Sequence, residues 1–212
     1  MKKVVLLFIL FVFSLSQADA QEFHFIPRIG LKLANAYPES FADMRPGLNI
    51  GVAEEIRFSK LFALEPGVYY SMQGYQKENA KGETARLKAD YLNIPIYAKF
   101  YLYRGFHLFA GPQVGFNIRA KASNYIFVSG PTPVHQSEYD FSGDKKEEIR
   151  NCDFSVSMGL GYTFDMGLVI SANYNLGCTH FFKEPEYSFG GSNHFRGKDH
   201  NGVIQFNLGW RF

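Results

Sequence analysis

From Phe23 to Phe212 the chain alternates apolar and polar residues at a period of two, and it does so in eight separate stretches. That period puts successive side chains on opposite faces of an extended strand. The last stretch is the clearest, with Ile204, Phe206, Leu208, Trp210 and Phe212 on one face and Val203, Gln205, Asn207, Gly209 and Arg211 on the other. Before it, 168–181 sets Leu168, Ile170, Tyr174 and Leu176 against Ser171, Asn173, Asn175 and Gly177, and 153–164 sets Phe154, Val156, Met158 and Leu160 against Ser155, Ser157, Gly159 and Gly161. The same reading gives strands at 106–119, 91–101, 62–75, 48–58 and 23–33. In 48–58 the apolar face is Leu48, Ile50, Val52, Ile56 and Phe58, and Glu54 alone breaks it.

Short connections (59–61, 103–105, 165–167) alternate with long ones (35–45, 76–87, 121–150, 182–200). Outer-membrane barrels alternate periplasmic turns and external loops in this way. Three-residue turns keep the apolar faces of neighbouring strands on one side, and Gly105 and Gly167 fall third, where such a hairpin takes a left-handed residue. The predicted fold is all-β, an eight-stranded antiparallel up-and-down transmembrane barrel with both termini in the periplasm.

Charge decides which face is inside. Arg28, Lys32, Glu55, Arg57, Glu65, Lys99, Arg119 and Arg211 all fall on the less apolar face, several at mid-strand, where hydrocarbon would cost kilocalories for each. They must point into the lumen. Side chains just fill an eight-stranded lumen, and Gly67, Gly111, Gly115, Gly159 and Gly161 leave room there for Tyr69, Tyr97 and the long cations. The expectation is a lumen ion network of Arg28, Glu55, Arg57, Glu65, Lys99, Arg119 and Arg211. Glu55 should lie opposite Glu65, and the pair then needs cations from Lys99, Arg57 or Arg28. Fixing strand register explains such a network more simply than a proton relay through Glu65 and Lys99.

The N-terminus carries an address. Lys2 and Lys3 precede an apolar run from Val4 to Phe13 and the small-residue site Ala18-Asp19-Ala20, the pattern of a secretory signal peptide over 1–20. The run is shorter than the ~20 residues of a spanning helix. Residues 21–212 are then one barrel domain placed in the outer membrane. The net charge is +2 and no basic stripe appears, so no nucleic acid is expected as a partner.

Candidate chemistry adds little. Cys152 and Cys178 are the two cysteines; they reach an oxidising compartment, lie on adjacent strands and the same face, and form a candidate disulfide. A three-residue turn leaves them two positions out of register. His180, His194, His200, Asp199, Glu184 and Glu186 gather near the last loop without a His-x-x-x-His spacing, so no metal is expected. Nothing orders Ser137, His135 and Glu138 as nucleophile and base, and no catalytic residue, cofactor or enzymatic activity is expected. The loop aromatics Tyr125, Phe127, Tyr139, Phe141, Tyr187, Phe189 and Phe195 fit a surface for other envelope proteins through 121–150 and 182–200, and equally a fold-back over the barrel mouth.

Two segments carry a family likeness. Leu64-Glu65-Pro66-Gly67-Val68-Tyr69-Tyr70-Ser71-Met72-Gln73-Gly74, followed by Tyr91-Leu92-Asn93-Ile94-Pro95-Ile96-Tyr97-Ala98-Lys99-Phe100, resembles the PorT-type outer-membrane β-barrel family of Bacteroidetes. In that family a Glu-bearing strand ending in Tyr-x-x-x-Gly precedes a Leu-x-Ile-Pro strand bearing Lys. Pro66 departs from the pattern and should disturb the local ladder. The resemblance implies location and fold, with outer-membrane lipid as solvent. It also implies a C-terminal assembly signal in Trp210 and Phe212, read by the barrel-assembly machinery. The family's one named role is in type IX secretion, docking other envelope proteins, which stands as the alternative to a loop-bearing scaffold. A soluble lipocalin-like carrier would need an apolar cup and a polar exterior, the reverse of this pattern.

Overall fold

The computed structural model describes residues 22–37, 45–78, 84–123, 126–129, 137–140, 143–144, 146, 149–180 and 200–212. Eight long strands hold nearly all of them: β1 Glu22–Tyr37, β2 Arg45–Arg57, β3 Phe62–Glu78, β4 Thr84–Tyr103, β5 Phe106–Ser123, β6 Cys152–Thr163, β7 Leu168–His180 and β8 His200–Trp210. Each pairs antiparallel with its neighbours in sequence. The last strand pairs with the first, from Arg28↔Gly209 to Tyr37↔His200, and the sheet closes. A ribbon of Ile126–Ser129 with Ser137–Asp140 stands apart, and Gly143–Asp144 pairs with β5.

The faces sort as the period-two pattern predicts. Phe25, Leu31, Ile50, Met158 and Phe206 are each more than half exposed on the outside, while Lys32, Glu55, Glu65 and Lys99 are buried within. No helix among the described residues is long and apolar enough to cross a membrane. An apolar exterior around a polar core is stable only where the surroundings are apolar too.

The strands outrun the apolar pattern at the long-loop end. β3 and β4 stay in register through Lys77↔Ala85 and Glu78↔Thr84, inside the predicted loop at 76–87, and β1 continues to Tyr37. Alternation in the sequence stops where lipid stops, but backbone pairing does not need lipid. Ile56, placed by its parity on the lipid face, is fully buried. It lies in register between Phe23 and Leu64, two large neighbours that flank it.

Turn lengths differ from three at each short link. The link after β2 is 58–61, closed by the Phe58 N–H donating to Phe62 O at 3.1 Å, and the link after β6 is 164–167. Between β4 and β5 only Arg104 and Gly105 remain, and an irregularity at Tyr101/Tyr103 restores the parity. Gly167 takes the left-handed conformation as expected, with φ 100°. At the other turn Arg104 takes it instead, with φ 49°. Gly105 is required for space: a Cβ there would stand 1.8 Å from the Thr163 carbonyl oxygen.

Pro66, Pro95 and Pro112 break the ladders in a staircase. Pairing skips from Ala53↔Gly67 to Ile56↔Leu64, from Pro66↔Ile96 to Tyr69↔Asn93, and from Pro95↔Gln113 to Ala98↔Ala110. A proline has no N–H to give, and each one costs its strand pair two rungs. Glu55, Glu65 and Tyr97 lie beside these gaps, so the lumen network crosses the wall where backbone bonding is thinnest.

Candidate functional site

The lumen is built by pairing large side chains with glycine. A Cβ on Gly51 or Gly67 would strike the Tyr69 ring at 2.7 and 2.6 Å, one on Gly159 the Phe109 ring at 2.7 Å, and one on Gly161 the His107 ring at 2.6 Å. Gly209 makes way for the Arg28 stem in the same manner, at 2.7 Å. Gly67, Gly159 and Gly161 were legible as spacers. Gly51 and Gly209 are spacers too, because they sit directly across from Tyr69 and Arg28.

At the centre, Lys99 Nζ donates to Glu55 Oε2 at 2.6 Å and to Glu65 Oε2 at 2.7 Å. The opposed carboxylates expected from β2 and β3 are thus joined by one ammonium from β4. Arg28 holds Glu65 bidentately, Nη1 to Oε1 at 2.5 Å and Nη2 to Oε2 at 2.6 Å. Glu55 also accepts from the Tyr101 hydroxyl at 2.5 Å and from Arg57 Nη2 at 3.2 Å, and Arg211 Nη1 stands 3.8 Å away. The Arg57 guanidinium stacks over the Tyr101 ring, 4.3 Å from its centroid.

Six of the seven predicted network residues meet here. Arg28, Lys99, Glu55 and Glu65 are buried, while Arg57 and Arg211 are partly exposed at the short-turn mouth. There water can solvate the charge that two carboxylates do not balance.

Arg119 is the exception. A bulge pairs Asp90 with Arg119 but Tyr91 with Asn117, and the extra residue puts Ile118 and Arg119 together on the outside, both exposed. One inserted residue reverses every later face. Ala120 consequently points inward and is buried.

Towards the long-loop end the lumen changes from charges to carboxamides. Asn207 Nδ2 donates to Asn173 Oδ1 at 3.1 Å, Asn173 Nδ2 to Asn175 Oδ1 at 2.8 Å, and Gln113 Nε2 to Ser155 Oγ at 3.1 Å. Asn201 Nδ2 reaches Gln73 Oε1 at 2.5 Å across the closing strands. Lys32, also buried, donates to Ser71 Oγ at 2.7 Å. Alternation marked all of these positions but Asn201, which precedes the predicted last strand, as inward, and residue type alone gave no sign that they bond to one another. Arg28, Tyr69, Tyr97, Phe109 and Gln113 help to line a cavity of about 10 Å³, the threshold for one water.

The remaining candidates separate. Cys152 and Cys178 are free, exposed thiols; with Gly177 opposite Ser155, Cys178 falls two rungs from Cys152. Trp210 and Phe212 are exposed, and the Phe212 N–H donates to Phe25 O at 3.0 Å, tying the chain end to β1. No group of three His, Cys, Asp or Glu suited to a metal occurs among the described residues. His194, Asp199, Glu184, Glu186, His135, Tyr125, Phe141, Tyr187, Phe189, Phe195 and the segment 1–20 lie outside the described residues, as do the side chains of His180, Ser137, Glu138, Phe127 and Tyr139.

The family described as "Outer membrane protein beta-barrel domain" matches residues 15–193. The chain belongs to this outer-membrane β-barrel family. No curated protein matches it. Among solved structures the outer-membrane barrel is similar to Neisserial surface protein A, at 14% identity and TM-score 0.50, covering 92% of this chain and 100% of that one. It is also similar to the attachment invasion locus protein Ail of Yersinia pestis, at 13% identity and TM-score 0.47, covering 91% and 99%. The soluble-carrier alternative falls with this assignment: the barrel resides in the outer membrane, and its greasy face meets lipid.

Proposed function

We propose that the protein is a non-enzymatic outer-membrane scaffold, delivered by a signal peptide at 1–20, whose barrel is a closed post for the loops at 121–150 and 182–200. The observation that carries this reading is the plug. Lys99 locks Glu55 to Glu65, Arg28 clamps Glu65 from β1, one strand further round, and the cavity beside them is about 10 Å³. Transport would require these groups to move together. In planar bilayers the purified protein is expected to give no steady conductance. Stable single-channel openings that change with Glu65→Gln or Lys99→Met would overturn the scaffold reading and make the lumen the functional part.

PorT-type membership is the finer proposal. It is supported by the two segments that carry the likeness, since Glu65 of the first and Lys99 of the second are direct ion-pair partners at 2.7 Å. On this reading other envelope proteins dock on the loops, and the assembly machinery reads Trp210 and Phe212. Co-purification from detergent-solubilised outer membranes tests the docking. Trimming within those loops, at 124–148 and 182–199, should leave a folded barrel that loses its partners, because the ladders of the eight long strands lie outside those residues.

A further inference from the structure

The outer surface is apolar along most of its height, but the external end of β4 and β5 departs from that rule. Leu92 pairs with Phe116 and Ile94 with Val114 in the lipid belt. Just beyond the Asp90/Tyr91 bulge, Asp90 pairs with Arg119, Ala89 with Ala120, and Lys88 with Lys121. Ala89 and Ala120 are buried on the lumen side, which fixes Lys88, Arg119 and Lys121 on the outside, where all three are exposed. About 14 residues separate Lys88 from Leu102 at the short-turn end. With a rise of ~3.3 Å per residue and a tilt of about 40°, that is roughly 35 Å along the membrane normal. The cations therefore stand just above a hydrocarbon layer ~30 Å thick, at headgroup height.

Among the described residues no carboxylate lies within ion-pair distance of Lys88, Arg119 or Lys121, although Asp90 and Asp144 stand across the ladder from two of them. Asp90 is nearly buried and accepts the Tyr70 hydroxyl at 2.9 Å. Asp144, the other register neighbour of Lys121, accepts the Lys146 N–H at 3.1 Å. Lys88 has Gly74 on its other side, which offers no side chain to pair with it. Two lysines directly opposed across a ladder repel. An anion between them turns that repulsion into attraction, and a phosphate accepts from both ammonium groups and from a guanidinium.

We infer that this outward face of β4 and β5, carrying Lys88, Arg119 and Lys121, is a docking surface for the phosphate-bearing headgroup of an outer-leaflet lipid. The inference needs the barrel and its membrane, not the scaffold role. The bulge has a purpose in this arrangement, since it brings Arg119 round to the lysine side.

The test uses the full-length protein in zwitterionic detergent with phosphatidic acid as the probe, read by native mass spectrometry. A Lys88→Gln, Arg119→Gln, Lys121→Gln triple variant is compared with the parent. Lys60→Gln, a change at the opposite interface, serves as the control. Heat-dependent gel mobility verifies that each is folded. The parent and Lys60→Gln should retain the lipid alike, and retention should fall about fivefold for each charge removed from the cluster. Millimolar inorganic phosphate should not displace the lipid. Equal retention by the triple variant, an equal loss in Lys60→Gln, or displacement by inorganic phosphate would each overturn the inference, the last by revealing a site for free phosphate.

Discussion

Lys99 is the residue on which the lumen depends, because it is the ammonium that two opposed carboxylates share. Removing one member of a buried ionic group leaves the others uncompensated, at a cost of about 3–5 kcal/mol. Lys99→Met should destabilise the barrel by that amount in urea unfolding, followed through Trp210, the single tryptophan. Tyr101→Phe removes one bond to a charged acceptor and should cost about 2 kcal/mol. Arg119→Ala provides the contrast. An outward, exposed side chain of this kind should change stability by less than ~0.5 kcal/mol, whereas a lumen residue would cost several times more.

At the scale of the strand, the period-two pattern was sufficient to find all eight barrel strands and to assign most faces. Faces are legible because lipid and lumen demand opposite chemistry at alternate residues, as at Leu31 and Lys32. Irregularities in the ladder are not legible in this way. The bulge beside Tyr91 inserts a residue without changing local polarity, so Arg119 reads like any other charged residue in the pattern. Arg104 in a left-handed turn is equally invisible, because the adjacent glycine attracts that assignment. The partners of Glu55 and Glu65 were legible only as a set of candidates, since which cation crosses the lumen depends on the closed barrel. For the cysteines, the ladder keeps the register read from the sequence as far as Gly177↔Ser155, and continuing it sets Cys178 two rungs from Cys152. Neighbours on the diagonal stand about 7–8 Å apart, beyond the usual reach of a disulfide. A thiol reagent applied to unreduced, denatured protein should therefore modify both Cys152 and Cys178; protection of the pair would show that the strands shift to bond them.

For the whole molecule, stability rests on a lumen whose ionic layer spans β1, β2, β3 and β4 where the proline staircase removes backbone rungs, and closure needs that layer together with the Tyr69 and Phe109 rings packed beside it. The glycines facing the large lumen residues add a further property. A core usually heals a truncated side chain partly, by relaxation of bulky neighbours into the space, but Tyr69 and Phe109 are faced by Gly51, Gly67 and Gly159, which have nothing to move. Voids left there should persist and fill with water, because polar groups such as Asn49, Gln113 and Asn207 line the same space. The barrel is thus closed by a few removable side chains within a rigid wall, and its permeability should respond in steps. Tyr69→Ala with Phe109→Ala should admit water and protons in liposome flux assays while the gel mobility of the folded barrel is unchanged, and single-file hydration would then replace a sealed interior.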